Sequence, residues 1–426
     1  MKLAAREPLG ALLSRRWHDP AAWIATTDVF FILLALALPW STSLTAIFAV
    51  AALVTMAPFF DANGFLRAVK RPASIFPLAL FTLALVGMLW SDAPWDARLH
   101  AAGPAAKLLM VPLLFYHFER STRGVEVFKA FLLSCVLLMA MSWLVAYDPR
   151  LTLNPIAGHG VPVKNYIDQS QEFALCAVVL AYPLLSLSRA GRILPAMLLG
   201  AIAIGFVANM MFVVVSRTAL VTMPIMLAVF GMMHLRWRAN AVILVAAIAL
   251  AGLARTVSPQ LQQKVNSFDL EYRLYKEQRA STSVGQRLEF YRKSVRFFAE
   301  SPIIGHGSGS IRGLFERAVE GPAGLAAAEV IGNPHNQTLN VAIQWGALGI
   351  FTLYAMWISH VMWFRGGGPM AWVGLMVVVQ NFFTSLFNSH IFDFTEGWIY
   401  VLGVGIAGGM ILKANADEKP ASSSAS

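Results

Sequence analysis

"NPHNQTLNVAIQWGALG" occupies Asn333–Gly349, and apolar residues carry on from it to position 363. A helix needs about 20 apolar residues to cross the hydrocarbon of a bilayer, and this run supplies them. Pro334 fixes the entry and puts His335 near the first turn. A membrane helix needs no imidazole at its mouth to be stable. What the histidine does there depends on which side of the membrane it faces.

Similar runs recur on both sides of this one. Candidate spans lie at 22–40, 41–60, 73–90, 104–117, 125–147, 172–188, 192–214, 218–234, 239–256, 336–363, 369–388 and 397–413, about twelve in all. The run at 104–117 is short and carries Lys107. Hydrophobic residues make up 57% of the chain and charged ones 13%, about half the roughly 25% charged residues of a soluble domain. With mean hydropathy at +0.61, the reading is an all-α integral membrane protein. The N-terminal stretch is too polar for a signal-peptide core, so it reads as a cytoplasmic tail.

Lysine and arginine set the orientation. One set of loops carries Arg67, Lys70 and Arg71, then Arg120, Arg123 and Lys129, then Arg189 and Arg192, then Arg236 and Arg238, then Arg365. The short loops between hold little beyond Arg98, Arg150 and Lys164. The first set is therefore cytoplasmic, with both termini. The expected organisation is a tail at 1–21, nine spans in 22–256, an outer-side helical segment at 257–335, three spans in 336–413 and a disordered tail at 414–426. The outer segment breaks the charge bias with Lys264, Arg273, Lys276, Arg279, Arg287, Arg292, Lys293, Arg296, Arg312 and Arg317. Long loops translocate whatever their charge. Such a surface docks on anionic lipid or binds an anionic substrate.

Several classes are excluded. No basic patch alternates with aromatics on a soluble domain, so nucleic acid is not a partner. Cys135 and Cys176 fall within apolar runs and read as small buried hydrophobes. There is no CxxC, HExxH or carboxylate–histidine cluster in the linear sequence, so no metal is expected. No internal repeat is evident.

Chemistry-bearing residues gather at the outer side. In "STSVGQRLEFYRKSVRFFAESP", Ser283 stands three residues before Gln286, the spacing of a capping box, and Ser301-Pro302 ends the helix. Leu288, Tyr291, Val295 and Phe298 share a face, as in an amphipathic helix lying on the membrane. Arg287 falls in the first turn, where the helix dipole already favours an anion, and a guanidinium grips phosphate with two parallel bonds. The alternative is an arginine snorkelling beside an apolar face. Arg217 stands at the outer edge of a span, where an ionisable residue is a functional candidate or an anchor. "SPIIGHGSGSIR" follows no strand, which removes a nucleotide fingerprint and leaves a flexible turn. His335, followed by Asn336, can accept a proton as a general base must, or simply anchor the interface. Lys164, Tyr166, Gln169 and Gln171 stand at the mouth of the sixth span, and His390, Asp393 and Glu396 on the same side. Asp28 lies alone within the first span.

Ser216-Arg217, "GQRLEFYRKSVRFFAESPIIGHGSGS" and "NPHNQTLNVAIQWGALG", in that order, resemble the O-antigen ligase family, whose superfamily includes O-antigen polymerases and bacterial protein O-glycosyltransferases. The likeness is close over roughly 205–350. It implies a metal-independent, inverting glycosyltransferase of GT-C type with no cofactor. The donor would be a polysaccharide on undecaprenyl diphosphate, the acceptor the lipid A–core oligosaccharide, and the site would face the periplasm from the inner membrane. The family's essential arginines match Arg217 and Arg287, and its histidine matches His335. Asn336, Lys164, Tyr166 and Gln169 are the expected further substrate contacts, and membrane lipids the remaining partners. A repeat-unit polymerase on the same scaffold is the nearest alternative. A protein O-glycosyltransferase would carry a larger soluble C-terminal domain. A transporter of lipid-linked sugars would carry charges deep in its spans, where only Asp28 and Lys107 stand.

Overall fold

A computed structural model describes residues 19–156 and 158–423. Most of the N-terminal tail expected at 1–21, and the last three residues of the C-terminal one, lie outside the described residues. Those described form helices and connecting turns, with no strand beyond one isolated bridge between Ala280 and Leu325. The first helices are α1 (Pro20–Ala37), α2 (Thr42–Met56), α3 (Ala62–Val69), α4 (Pro72–Val86), α5 (Trp95–Ala102) and α6 (Met110–Phe118). The middle of the chain holds α7 (Gly124–Tyr147), α8 (Tyr166–Val179), α9 (Ala181–Arg189), α10 (Ile193–Phe212), α11 (Arg217–His234) and α12 (Trp237–Val257). Then come α13 (Pro259–Gln278), α14 (Ser283–Glu300), α15 (Ile311–Arg317), α16 (Gln337–Phe364), α17 (Pro369–Thr384) and α18 (Phe394–Ser423).

Nine helices among the described residues are long and apolar enough to cross a membrane, or ten if the bent pair α3–α4 is one span. Each of the about twelve expected runs overlaps a helix, but those at 239–256 and 369–388 are not among these nine or ten, and several others differ for local reasons. The run at 104–117 belongs to a longer unit, Trp95–Phe118, in which Gly103–Leu109 is wound as a 3-10 helix behind Pro104. The run at 369–388 is helical over only 16 residues. The run at 336–363 is broken at Gly346, whose φ of 61° and ψ of −151° leave the helix. The chain before it repairs the break: Ala347 N–H donates to the Pro302 carbonyl (2.8 Å) and Leu348 N–H to that of Ile303 (3.2 Å). Non-helical backbone at membrane depth survives only when protein satisfies it in this way. The tail expected to be disordered from 414 instead continues α18 as far as Ser423.

The packing is apolar outward. Val50, Val54, Leu194 and Val245 are exposed, as hydrocarbon-facing residues should be, while polar groups gather between helices. Asp28 is buried in α1 and is a helix contact: its Oδ1 lies 2.7 Å from His117 Nε2 and accepts from the Ser121 hydroxyl at 2.7 Å. Breaking one partner of such a buried set leaves the others unsatisfied, at about 3 kcal/mol. Asp28→Ala is therefore expected to lower unfolding stability in detergent while the protein that remains folded keeps its activity.

Residues 257–335 form α13, α14, α15 and their turns. The face of α14 read as apolar is turned outward, with Leu288 and Val295 exposed. Phe290 and Phe297 are buried instead, against Phe315, Leu314 and Ile343. Lys293 is buried beside them and donates to the carbonyls of Ala318 and Ala327 at 2.6 and 2.5 Å. The cap of α14 is Thr282, one residue before the expected one, and accepts from Gly285 N–H. The glycine loop is packed, not flexible. Gly305, Gly307 and Gly309 take φ of 68–83°, where a Cβ would strike the backbone of Gln344–Trp345, Ser91 and Ala97 in turn. Its N–H groups are spent on Ile343, Gln344 and Gly87, so none lines a site.

Candidate active site

His335 does not lie in the first turn of α16. Asn336 is the cap, its side chain accepting from Leu339 N–H at 3.0 Å, and His335 precedes it with φ of 54°. A residue with a Cβ takes that conformation only when its surroundings hold it. Here Asn333 Oδ1 accepts from the His335 N–H at 2.9 Å. The Tyr291 hydroxyl of α14 donates to the His335 carbonyl at 3.1 Å and to that of Leu386 at 2.9 Å. The Phe290 ring stacks on the imidazole, centroids 6.1 Å apart.

His335 Nδ1 lies 2.9 Å from Asn388 Oδ1, and Asn388 Nδ2 donates to Asp393 Oδ2 at 2.6 Å. Among the described residues Nε2 makes no hydrogen bond, and it is not buried. Burial lowers the His335 pKa below its usual 6.5, and the Arg287 guanidinium pushes the same way against the Asn388 bond and the Asp393 carboxylate. The imidazole is therefore neutral at neutral pH.

Arg287 stands out among the cations of residues 257–335. Arg273, Arg279, Arg292, Arg296 and Arg312 are in ion pairs, and Lys293 is tied to carbonyls. Lys276 and Arg317 are exposed, and the Lys264 side chain lies outside the described residues. Arg287 is half-buried and, among the described residues, has no hydrogen bond or ion pair. A partly desolvated guanidinium with its fork unused is prepared for an anion.

Arg217 is already engaged. Its Nη2 lies 2.6 Å from Glu271 Oε1 and donates to the Ser267 hydroxyl at 2.7 Å. The same Glu271 accepts from Val284 N–H, in the first turn of α14, at 3.1 Å. Burial would raise the Glu271 carboxyl, but Arg217 outweighs it and holds the pKa below the usual value. The Glu271 carboxylate thus bridges Arg217 and the first turn of α14, the helix that carries Arg287.

The family model described as O-antigen ligase matches residues 201–354, a stretch that contains Arg217, Arg287 and His335. Over that segment the chain is similar to the O-antigen ligase family. No curated protein matches it. The matched stretch begins within α10 and ends within α16, so it contains all of residues 257–335.

Of the residues expected from sequence, Arg287, His335 and Asn336 come together. Arg217 reaches them only through Glu271. Gln169 is buried and donates to Ser142 at 2.9 Å, so it supports α7 and not a substrate. Lys164 donates to the Leu38 carbonyl and to Thr395 at 2.9 Å, which leaves it inside the bundle. Tyr166 opens α8 and is exposed. Lys107 Nζ donates to the Asp393 carbonyl and so fixes the turn before α18. The sequence reading expected no carboxylate–histidine cluster, but that turn makes one: His390, Asp393 and Glu396 bring their ligand atoms within 4.8 Å of one another. Burial would depress His390, but Glu396 and Asp393 lift its pKa to about 9. The sequence reading passed over Asn388, Asn333 and Glu271, which look like ordinary turn and helix residues.

Proposed function

We propose that this protein is an O-antigen ligase of the inner membrane, with both termini in the cytoplasm and the site facing the periplasm. It joins a polysaccharide carried on undecaprenyl diphosphate to the lipid A–core oligosaccharide, as an inverting, metal-independent glycosyltransferase of GT-C type. The observation that carries this reading is the unpartnered Arg287 beside the unpartnered Nε2 of His335, inside the segment that matches the O-antigen ligase family. A diphosphate leaving group needs positive charge where negative charge develops, and Arg287 can supply it. The acceptor hydroxyl needs a base, and a neutral imidazole is one. The hydroxyl oxygen bonds to the anomeric carbon opposite the diphosphate. The carbon–oxygen bond to phosphate breaks, and undecaprenyl diphosphate leaves with the electron pair. His335 Nε2 receives the hydroxyl proton.

Glu271 fits this scheme as a stand-in for phosphate. The donor's diphosphate would displace it from Arg217. The pair is partly exposed and so worth up to about 1 kcal/mol, or roughly fivefold in binding. Glu271→Gln is expected to lower the donor KM by up to that factor with little change in kcat. A higher KM would mean that Glu271 supports Arg217 instead of competing with substrate.

The test of the function is the purified protein in a bilayer with both lipid substrates and a chelator. The expected product is polysaccharide joined to lipid A–core with release of undecaprenyl diphosphate. Donor chains that join only to one another would mean a polymerase.

A further inference from the structure

Asn388 lies beyond the segment that matches the family, yet it touches the imidazole. Its two ends face different partners. Nδ2 is 2.6 Å from Asp393 Oδ2, and Oδ1 is 2.9 Å from His335 Nδ1. A carboxylate accepts hydrogen bonds, so the amide nitrogen must face Asp393 and the oxygen must face His335. An amide oxygen likewise accepts. Nδ1 must then carry the hydrogen, which leaves the lone pair on Nε2. The arrangement is braced. Asn333 Nδ2 donates to the same Asn388 oxygen at 3.1 Å, and the Ser389 hydroxyl donates to Asn333 Oδ1 at 2.8 Å. Asp393 is held by Lys107 on its carbonyl and by His390 Nδ1 at 3.1 Å from Oδ2.

We infer that Asn388, oriented by Asp393, is a positioning residue that sets the tautomer of His335 and so presents a lone pair to the acceptor hydroxyl. The inference rests on the reading of His335 as the base. A neutral amide gives direction without charge. A carboxylate in direct contact would raise the imidazole pKa and leave the base protonated nearer neutrality. When the proton arrives on Nε2, the Nδ1–H bond to Asn388 becomes charge-assisted and shortens. The charged groups facing the ring are Arg287 from α14 and Asp393 and His390 from the turn before α18. Phe290 covers its face, and Tyr291 holds its carbonyl.

The test pairs transfer rates with nitrogen NMR of histidine-labelled protein in bilayers, the His335 signals being assigned by their absence from His335→Ala. Wild type should show a protonated Nδ1 and a bare Nε2. Asn388→Leu keeps the branched shape, with somewhat more bulk, but loses the acceptor. It is expected to lower transfer about 10–100-fold, the range for loss of a histidine's orienting partner, and to show both tautomers. Asn388→Asp keeps an acceptor for Nδ1 but loses the donor to Asp393, where the two carboxyls must share a proton. It should keep the wild-type tautomer and lose less activity than Asn388→Leu, with the acid limb of its pH profile moved to higher pH. A purely space-filling role predicts that both variants keep the wild-type tautomer, with the isosteric aspartate costing little and leucine only what its extra bulk disturbs. The Asn388 role is overturned by a wild-type His335 protonated on Nε2, or by Asn388→Leu with wild-type rate and tautomer while His335→Ala is inactive. A His335→Ala variant transferring at the wild-type rate would instead overturn the base reading, and the positioning role with it.

Discussion

Arg287→Ala is expected to lower transfer by about 10²–10³-fold, the usual loss when one preorganised donor to a developing oxyanion is removed. The diphosphate gains charge as the glycosidic bond breaks. The other outer-side cations near it are committed: Arg292 to Glu289 at 2.7 Å, Arg296 to Glu300 at 3.2 Å and Arg217 to Glu271 at 2.6 Å. None can move to Arg287's position without breaking a pair. Arg287→Lys keeps the charge but loses the two-pronged geometry, so its rate should fall between wild type and alanine. Initial rates at saturating acceptor measure this directly. Wild-type rates in Arg287→Ala would show that the diphosphate is held elsewhere.

His335→Ala is expected to cost about 10²–10⁴-fold, the range for a general base. The pH dependence carries the signature. His335 in the folded protein titrates below 6.5, so the base is neutral through neutral pH. Activity should fall as the pH drops through that lowered value. Removing His335 should abolish this acid limb along with most of the rate. Stability should not follow activity. The left-handed backbone at His335 costs of order 1–3 kcal/mol in a residue with a Cβ, so His335→Gly should be at least as stable as wild type and equally inactive. A strained residue whose removal costs rate but not stability is retained for chemistry.

The helices were legible because each apolar run leaves a local mark. Apolar runs report helices, and a proline–histidine pair at the head of such a run stands out. What escaped depended on contacts between distant positions. Gly346 breaks α16 because residues 302–303 arrive to take its unpaired N–H groups, and no periodicity announces that. The buried face of α14 is set by Phe315 and Ile343, which left the apolar-looking Leu288 and Val295 outside. Lys164 and Gln169 resemble substrate contacts because polar residues at a membrane edge do, but in the fold they bind Thr395 and Ser142. Asn388 and Glu271 have no distinctive neighbours in sequence. Each acquires its meaning 53 or 54 positions away, at His335 and Arg217.

The most direct test of the central claim is made in the native host. His335→Ala and Arg287→Ala are introduced separately, the protein is confirmed to be present in the membrane, and the lipopolysaccharide is run on a gel beside the undecaprenyl-linked pool. The predicted result is loss of the O-antigen ladder with long chains accumulating on the carrier. An unchanged ladder in both variants would contradict the account.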